Sequence, residues 1–100
     1  MKILTLVCGE EILDEILVLF ATQKIEAYTI ISSVGGKGAT EEVPDTGPTS
    51  QNTMYLVALD DARMASLVNA VKDMHTRLVQ EHTGRPVPLK AFLQPCEVIV

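Results

Sequence analysis

In this 100-residue chain, strand-like apolar runs and apolar residues at helical spacing follow one another in a definite order, and this order most constrains the fold. Short runs rich in β-branched residues predict four strands, at residues 2–7, 26–34, 54–59 and 90–94. Apolar residues that recur every three or four positions predict two amphipathic helices, over 12–22 and from Asp61 to the His82-Thr83-Gly84 stop. Asp60-Asp61 offers an N-cap for the second helix. The predicted order is therefore strand, helix, strand, strand, helix, strand, in a single domain over residues 1–100.

Elements in this order most readily form a split β-α-β sheet with both helices on one face. The predicted fold class is α+β, a ferredoxin-like βαββαβ sandwich with a four-stranded antiparallel sheet. We expect strands one and three in the centre, with strand four antiparallel beside strand one. The uncovered face would carry many apolar side chains, and another copy of the chain is its simplest cover. We therefore expect a homo-oligomer.

Composition argues against several classes of partner. The net charge is −5 and tryptophan is absent. This balance disfavours nucleic acid and anionic membranes as partners, and no stacking platform for single-stranded nucleic acid is evident. No apolar run is long enough for a membrane span or a signal peptide, so the expected location is cytoplasmic.

Metal binding and catalysis find less support. Cys8 and Cys96 fall near the ends of antiparallel strands one and four, which places them far apart and argues against a disulfide. His75 and His82 are seven residues apart on one helix and lack an obvious third ligand. No nucleophile lies in a recognisable catalytic motif. A metal site formed across a subunit interface, with these histidines or cysteines as ligands, stays open as the alternative.

Two clusters combine glycine with a basic side chain. A glycine-rich loop entrance follows the second strand, and a shorter cluster follows the second helix. Flexible glycine backbone with a lysine or arginine suits a phosphate or carboxylate. We predict that substituting Lys37 and Arg85 abolishes binding of a small anion and leaves the fold intact. The candidate ligand-binding residues are Gly35, Gly36, Lys37 and Gly38 in the first cluster and Thr83, Gly84, Arg85 and Lys90 in the second.

Short motifs over nearly the whole chain resemble the P-II-like signalling superfamily. The opening strand with Leu13-Asp14-Glu15-Ile16 is similar to the family's first strand and helix, and Thr83-Gly84-Arg85 resembles its B-loop. Ala27-Tyr28-Thr29-Ile30 with Val34-Gly35-Gly36-Lys37-Gly38 is similar to the entrance of its T-loop. Ala91-Phe92-Leu93-Gln94-Pro95-Cys96-Glu97 resembles its Phe-x-x-Pro-Val-Glu strand, with cysteine in place of valine.

This resemblance implies a non-enzymatic homotrimer that senses a small-molecule effector at the clefts between subunits. An adenine nucleotide (ADP, AMP or ATP) is the implied ligand, and no covalently bound cofactor is expected. The T-loop, residues 35–53, would report binding to a membrane transporter or an enzyme. The Gly-Gly-Lys-Gly entrance is most similar to variants linked to bicarbonate uptake or carboxysomes.

Three departures from the family pattern bear on the ligand. The loop from Lys37 to Asn52 is shorter than a standard T-loop and lacks its tyrosine. Pro86, Val87 and Pro88 replace later B-loop glycines, and the C-terminal arginines of standard members do not follow Val100. ADP, AMP, a cyclic dinucleotide and bicarbonate are therefore the candidates. A metal-binding trimer of the copper-tolerance type and an enzyme at the intersubunit cleft are the alternatives.

Overall fold

The computed structural model describes residues 1–35 and 51–100. Within these ranges, strands and α-helices follow one another in the predicted order. A short 3-10 helix, Glu10–Ile12, precedes the first α-helix. The elements are β1 (Lys2–Gly9), α1 (Leu13–Thr22), β2 (Thr29–Gly35), β3 (Gln51–Leu59), α2 (Asp61–Glu81) and β4 (Leu89–Pro95).

The four strands form one antiparallel sheet in the order β2-β3-β1-β4. Leu4 of β1 lies between Val57 of β3 and Leu93 of β4, which fixes the register of the three strands. The prediction of a ferredoxin-like sheet with β1 and β3 in its centre is confirmed. β2 and β4 form the two edges of the sheet in the described part of the chain.

The face of the sheet that the helices cover carries the core. Leu4, Leu6 and Cys8 alternate along β1 and are at most 2% exposed. Because side chains alternate between the faces of a strand, these residues and their β3 neighbours point to the same side. They pack in one apolar cluster with residues of both helices, among them Ile12, Ile16, Phe20, Met64, Leu67 and Leu78.

The first helix is rotated relative to the sequence-based prediction. We predicted Leu17 on its buried face, but Leu17 is 47% exposed and Leu19 is buried instead. Ile12, Ile16 and Phe20 form the centre of the buried face. At about 100° per residue, Leu19 lies about 60° around the helix from Ile16 and Leu17 about 100°, so Leu19 is inside the buried stripe and Leu17 is outside it.

The opposite face of the sheet, which we call the open face, is apolar but lacks a covering layer in the described residues. Val7 and Leu56 lie on it, since they alternate with core residues of β1 and β3, and both are only partly buried. Phe92 of β4 pairs with Thr5, shares this face and is 58% exposed. An uncovered apolar face of this kind is typical of a surface that meets another protein.

Polar contacts fix the position of α2. The Asp60 side chain accepts a hydrogen bond from the Arg63 backbone N–H at 2.8 Å, which confirms the predicted N-cap. Near the other end of the helix, Arg77 Nη2 lies 2.7 Å from Glu15 Oε2 of α1 and Arg77 Nη1 lies 3.2 Å from Glu81 Oε1. The two helices are therefore joined by an ion pair close to the end of α2.

The strand at the β2 edge contains a β-bulge. Ile31 pairs with Met54 and Val34 pairs with Asn52, so Ser32 and Ser33 together oppose the single residue Thr53. Ser33 has a φ of 59°, in the left-handed region that a serine seldom occupies. The bulge lies just before the glycine-rich entrance.

Strand boundaries differ from the prediction, most of all at the starts of β2 and β3. β2 begins at Thr29 instead of residue 26, because the chain first turns at Lys24 (φ 56°) and Ile25 donates a backbone hydrogen bond to Phe20 at 2.8 Å. β3 begins at Gln51, three residues before the apolar run that predicted it. β1 continues to Gly9, two residues past its predicted end, and β4 runs from Leu89 to Pro95, one residue longer at each end than predicted. After β4, the Cys96 backbone N–H donates to Met1 O at 3.3 Å.

Candidate functional site

Gly35 and the turn that contains Thr83, Gly84 and Arg85 lie at the same end of the sheet. Gly35 pairs with Gln51 where β2 ends, and Asn52 pairs with Gly9 one position further along. On the other side of β1, Cys8 pairs with Leu89, the first residue of β4. The loop that leaves β2 and the turn that enters β4 are thus separated by two central strands, about 14 Å across the sheet. Gly36, Lys37 and Gly38 lie outside the described residues.

The turn between α2 and β4 is built by the end of the helix. His82 donates its backbone N–H to Leu78 O at 2.8 Å, and Arg85 donates to His82 O at 2.9 Å. Gly84 has a φ of 79°, which an L side chain adopts only at a cost. The Thr83 hydroxyl donates to Gln80 O at 3.2 Å, so it helps to end the helix.

Gly9 holds this turn against β1. Its backbone N–H donates to Pro88 O at 2.9 Å. A Cβ atom at this position would lie 2.7 Å from Pro88 Cβ and 2.7 Å from Glu11 Oε2. The Glu11 carboxylate can move aside, but the proline ring is rigid. The close approach of β1 to the turn therefore requires glycine here.

A cavity of about 260 Å³ opens between this turn and the 3-10 helix. Arg85 is exposed in it, and no hydrogen bond or ion pair of its side chain is present within residues 1–35 and 51–100. A guanidinium without a carboxylate partner can bind a phosphate or carboxylate with two parallel hydrogen bonds. The residues that line the cavity are Glu11, His82, Arg85, Pro86 and Pro88.

The structure separates two residues that we predicted in one cluster. Lys90 pairs with Val7 and therefore extends from the open face, whereas Arg85 lines the cavity beside the 3-10 helix. Gly35 is exposed at the end of β2, and no atom lies within 4 Å of the position that a Cβ would take. Gly35, Thr83 and Gly84 can contribute backbone groups to a ligand, and Arg85 contributes the charge.

Sequence reasoning did not select Glu11 as a site residue, and it considered His82 only as part of the helix stop and as a possible metal ligand. It did not predict that either residue would line an anion site. Their contact with the cavity follows from the 3-10 helix and from the Gly9–Pro88 contact, which bring the start of one helix beside the end of the other. The only feature of the sequence that marked this contact is Gly9, which directly precedes Glu10 and Glu11.

Histidine and cysteine side chains do not converge in the described residues, and no group of three potential metal ligands occurs among them. Burial raises the pKa of the Cys8 thiol to about 12, which disfavours the thiolate that binds metals. Cys96 contacts Met1 at the opposite end of β1, so the predicted separation of the cysteines is confirmed. In the same part of the chain, no helix is long and apolar enough to cross a membrane.

Comparison with known proteins identifies the architecture. No family model and no curated protein sequence matches this chain. Among solved structures, CPII from Thiomonas intermedia K12 bound to ADP and bicarbonate matches with a TM-score of 0.66 and 15% identity. The match covers 93% of this chain and 82% of CPII.

A second structure from the same organism, CPII bound to ADP, AMP and acetate, matches with a TM-score of 0.64 and 16% identity over 92% and 81% of the two chains. At this identity, the similarity demonstrates the fold. The resemblance of the sequence motifs to P-II-like proteins is thus confirmed at the level of architecture. The chain has the ferredoxin-like fold of the P-II-like proteins.

Proposed function

We propose that this protein is a P-II-like regulator that binds an adenine nucleotide at the end of the sheet where Gly35 and Arg85 lie. The observation that carries the proposal is the exposed guanidinium of Arg85 in its cavity, which has no carboxylate partner among the described residues. The fold it shares with CPII, whose solved structures contain ADP and AMP, supports the choice of ligand.

The charges around Arg85 favour a ligand of low charge. Arg85 supplies one positive charge and two donors for a phosphate, and Glu11 places a carboxylate in the same cavity. Like charges repel, so the carboxylate opposes each additional phosphate. We therefore propose ADP or AMP in preference to ATP. Bicarbonate is the second ligand that we propose to test, since a CPII structure contains it together with ADP.

The open face supports a homotrimer. Three copies that bury Val7, Leu56 and Phe92 against one another would cover an apolar surface that the described residues of a single chain leave accessible. Such an assembly brings the β2 end of one copy towards the β4 turn of another, so the clefts between copies would complete the nucleotide sites. Residues 35–53 would then transmit binding to a protein target, a transporter or an enzyme. We propose a regulatory, non-enzymatic role in the cytoplasm.

Calorimetric titration with ADP, AMP, ATP and sodium bicarbonate tests the proposed ligand. Arg85→Gln removes the guanidinium, and Lys24→Gln, at the opposite end of the sheet, is the control that removes the same charge. Loss of a charged hydrogen-bonding partner costs about 1.5–3 kcal/mol, so the affinity of Arg85→Gln for ADP should fall about tenfold to a hundredfold. The Lys24→Gln protein should bind as the unaltered protein does.

An equal loss of ADP affinity in both variants would show that the net charge of the protein, and not a site at Arg85, attracts the nucleotide. Absence of nucleotide binding in the unaltered protein would overturn the proposal. Titration with Cu²⁺ and Zn²⁺ in the same series would then test the alternative of a metal-binding trimer, which should bind these ions and not the nucleotides.

Sedimentation velocity tests the trimer. Leu56→Asp places a charge in the centre of the open face, and Val18→Asp places one on the outer surface of α1, where Val18 is 62% exposed. The first substitution should convert trimer to monomer, whereas the second should leave the trimer unchanged. A trimer that survives Leu56→Asp would refute assembly through this face.

A further inference from the structure

A groove of about 610 Å³ runs between α2 and the edge strand β4, on the face of the sheet that the helices occupy. Its floor is apolar, and Leu4, Val71 and Leu89 are nearly inaccessible beneath it. Leu93 continues the floor towards the end of β4 and is 45% exposed. Lys72 lines the rim, together with Val68, His75, Thr76, Lys90 and Ala91.

The segment that follows β4 has the complementary chemistry. Val98, Ile99 and Val100 are 62%, 85% and fully exposed, an unusual state for three consecutive β-branched residues. None of them lines the groove of its own chain. Glu97 precedes them, and neither Glu97 nor Lys72 has an ion-pair partner among the described residues.

We propose that residues 97–100 of one copy add to the β4 edge of a second copy and fill its groove. β4 is an edge strand in the described sheet, so its outer backbone groups can pair with an added strand. From Leu89 to Leu93 the groove extends about 13 Å, and an extended four-residue segment spans about 10 Å. The lengths therefore match.

Strand alternation assigns each side chain of the added segment to a face. Glu97 and Ile99 lie on the groove side, where the carboxylate meets the Lys72 ammonium and Ile99 covers Leu93. Val98 and Val100 lie on the other side, beside the exposed ring of Phe92. One short segment thus buries apolar side chains on both faces of the β4 edge and pairs two charges that lack partners in the described chain. The inference requires a second copy, as the trimer does, but no nucleotide.

Disulfide trapping between two different chains tests this contact. One chain carries Lys72→Cys with an affinity tag, the other carries Glu97→Cys without a tag, and both carry Cys96→Ser. Cys8 is buried with a pKa of about 12 and stays unreactive. After co-expression and mild oxidation, we expect a reducible dimer that contains one tagged and one untagged chain. Because each chain has one new cysteine, such a dimer cannot arise within a single copy.

Two further variants of the Glu97→Cys chain distinguish a specific contact from random collision. Ile99→Ser should reduce the yield of the mixed dimer about tenfold, since burial of an isoleucine contributes about 1.5–3 kcal/mol. Val18→Ser, on the outer surface of α1, should leave the yield unchanged. Absence of the mixed dimer, or equal yields with Ile99→Ser, would overturn the proposal. Neither result alters the calorimetry of Arg85→Gln, so the two proposals fail independently.

Discussion

The glycines on the β4 side and on the β2 side of the same end of the sheet have different surroundings. At the β4 side, Gly9 is in contact with Pro88, and Gly84 has a φ of 79°. At the β2 side, Gly35 has open space around the position of a Cβ and no positive φ. Glycine on the first side is therefore required by the fold of the single chain. Within the described residues, the fold of the single chain places no such requirement on Gly35.

The largest effect should come from Gly9→Ala. The added methyl group meets the rigid Pro88 ring at 2.7 Å, which forces β1 and the turn apart. Overpacking of this kind costs about 1–3 kcal/mol in the free energy of unfolding, which urea denaturation measures. A stability within 0.5 kcal/mol of the unaltered protein would show that the turn moves freely, and the contrast between the two sides would disappear.

Gly84→Ala should have the next largest effect. An L side chain in the left-handed region costs about 1–2 kcal/mol, because the Cβ approaches the neighbouring carbonyl. Gly84→Asn is the matched control, since asparagine tolerates this conformation and should lose less stability. The same denaturation experiment measures both variants. Equal losses would mean that added side-chain bulk, and not the backbone angle, destabilises the turn.

Gly35→Ala should change stability in the opposite direction. Alanine restricts the unfolded chain and meets nothing in the folded one, so we expect a gain of about 0.4–1 kcal/mol. If the backbone here approaches a nucleotide, the same substitution should weaken ADP binding in calorimetry. A loss of stability would show that the fold requires glycine at position 35 as it does at Gly9 and Gly84. Unchanged ADP binding would show that Gly35 is not part of the nucleotide site.

The smallest effect concerns the ion pair that holds the helix before the Arg85 turn. The hydrogen bond from Arg77 lowers the pKa of Glu15 in the folded protein. The stabilisation is therefore present above the usual pKa of glutamate, about 4.3, and is lost as the pH falls through the lower folded value. The destabilisation caused by Arg77→Met should therefore be larger at pH 7 than at pH 3.

Arg63→Met is the control for this pH dependence. Arg63 also lies on α2, but its side chain donates to the Lys24 backbone oxygen at 3.1 Å, a group that does not titrate. Its effect on the free energy of unfolding should be the same at both pH values. A difference between pH 7 and pH 3 of equal size in both variants would assign the effect to overall charge.

The sequence was sufficient to predict the architecture because local signals agreed with one another. Apolar spacing located both helices, Asp60 marked the start of α2, and the order of elements left one simple sheet topology. The direction of single side chains was harder to predict. Leu17 was placed on the buried face of α1 because it is apolar and adjacent to Ile16, but it lies outside the stripe that Ile16, Leu19 and Phe20 form. No residue pattern distinguished the three residues of 3-10 helix before α1 from the first turn of an α-helix.

The residues of the candidate site were predicted from their places between strands and helices more than from their residue types. Glycine beside a basic residue drew attention to Gly35 and to the turn with Arg85, which lie at one end of the sheet. Lys90 was grouped with Arg85 because the two are near in sequence, but strand alternation directs it to the open face. Glu11 joins the cavity through a contact between β1 and a distant turn, and such a contact depends on tertiary packing that a linear pattern does not encode.

The bulge in β2 has a consequence for sequence comparison. Because Ser32 and Ser33 together oppose Thr53, β2 uses one residue more than β3 over the same length. A homologous chain without the bulge reaches the same paired position one residue earlier. An ungapped alignment with such a chain would shift every loop residue after Val34 by one place and conceal the correspondence of its glycines. Searches for homologues of this protein should therefore allow a one-residue gap at Ser32-Ser33.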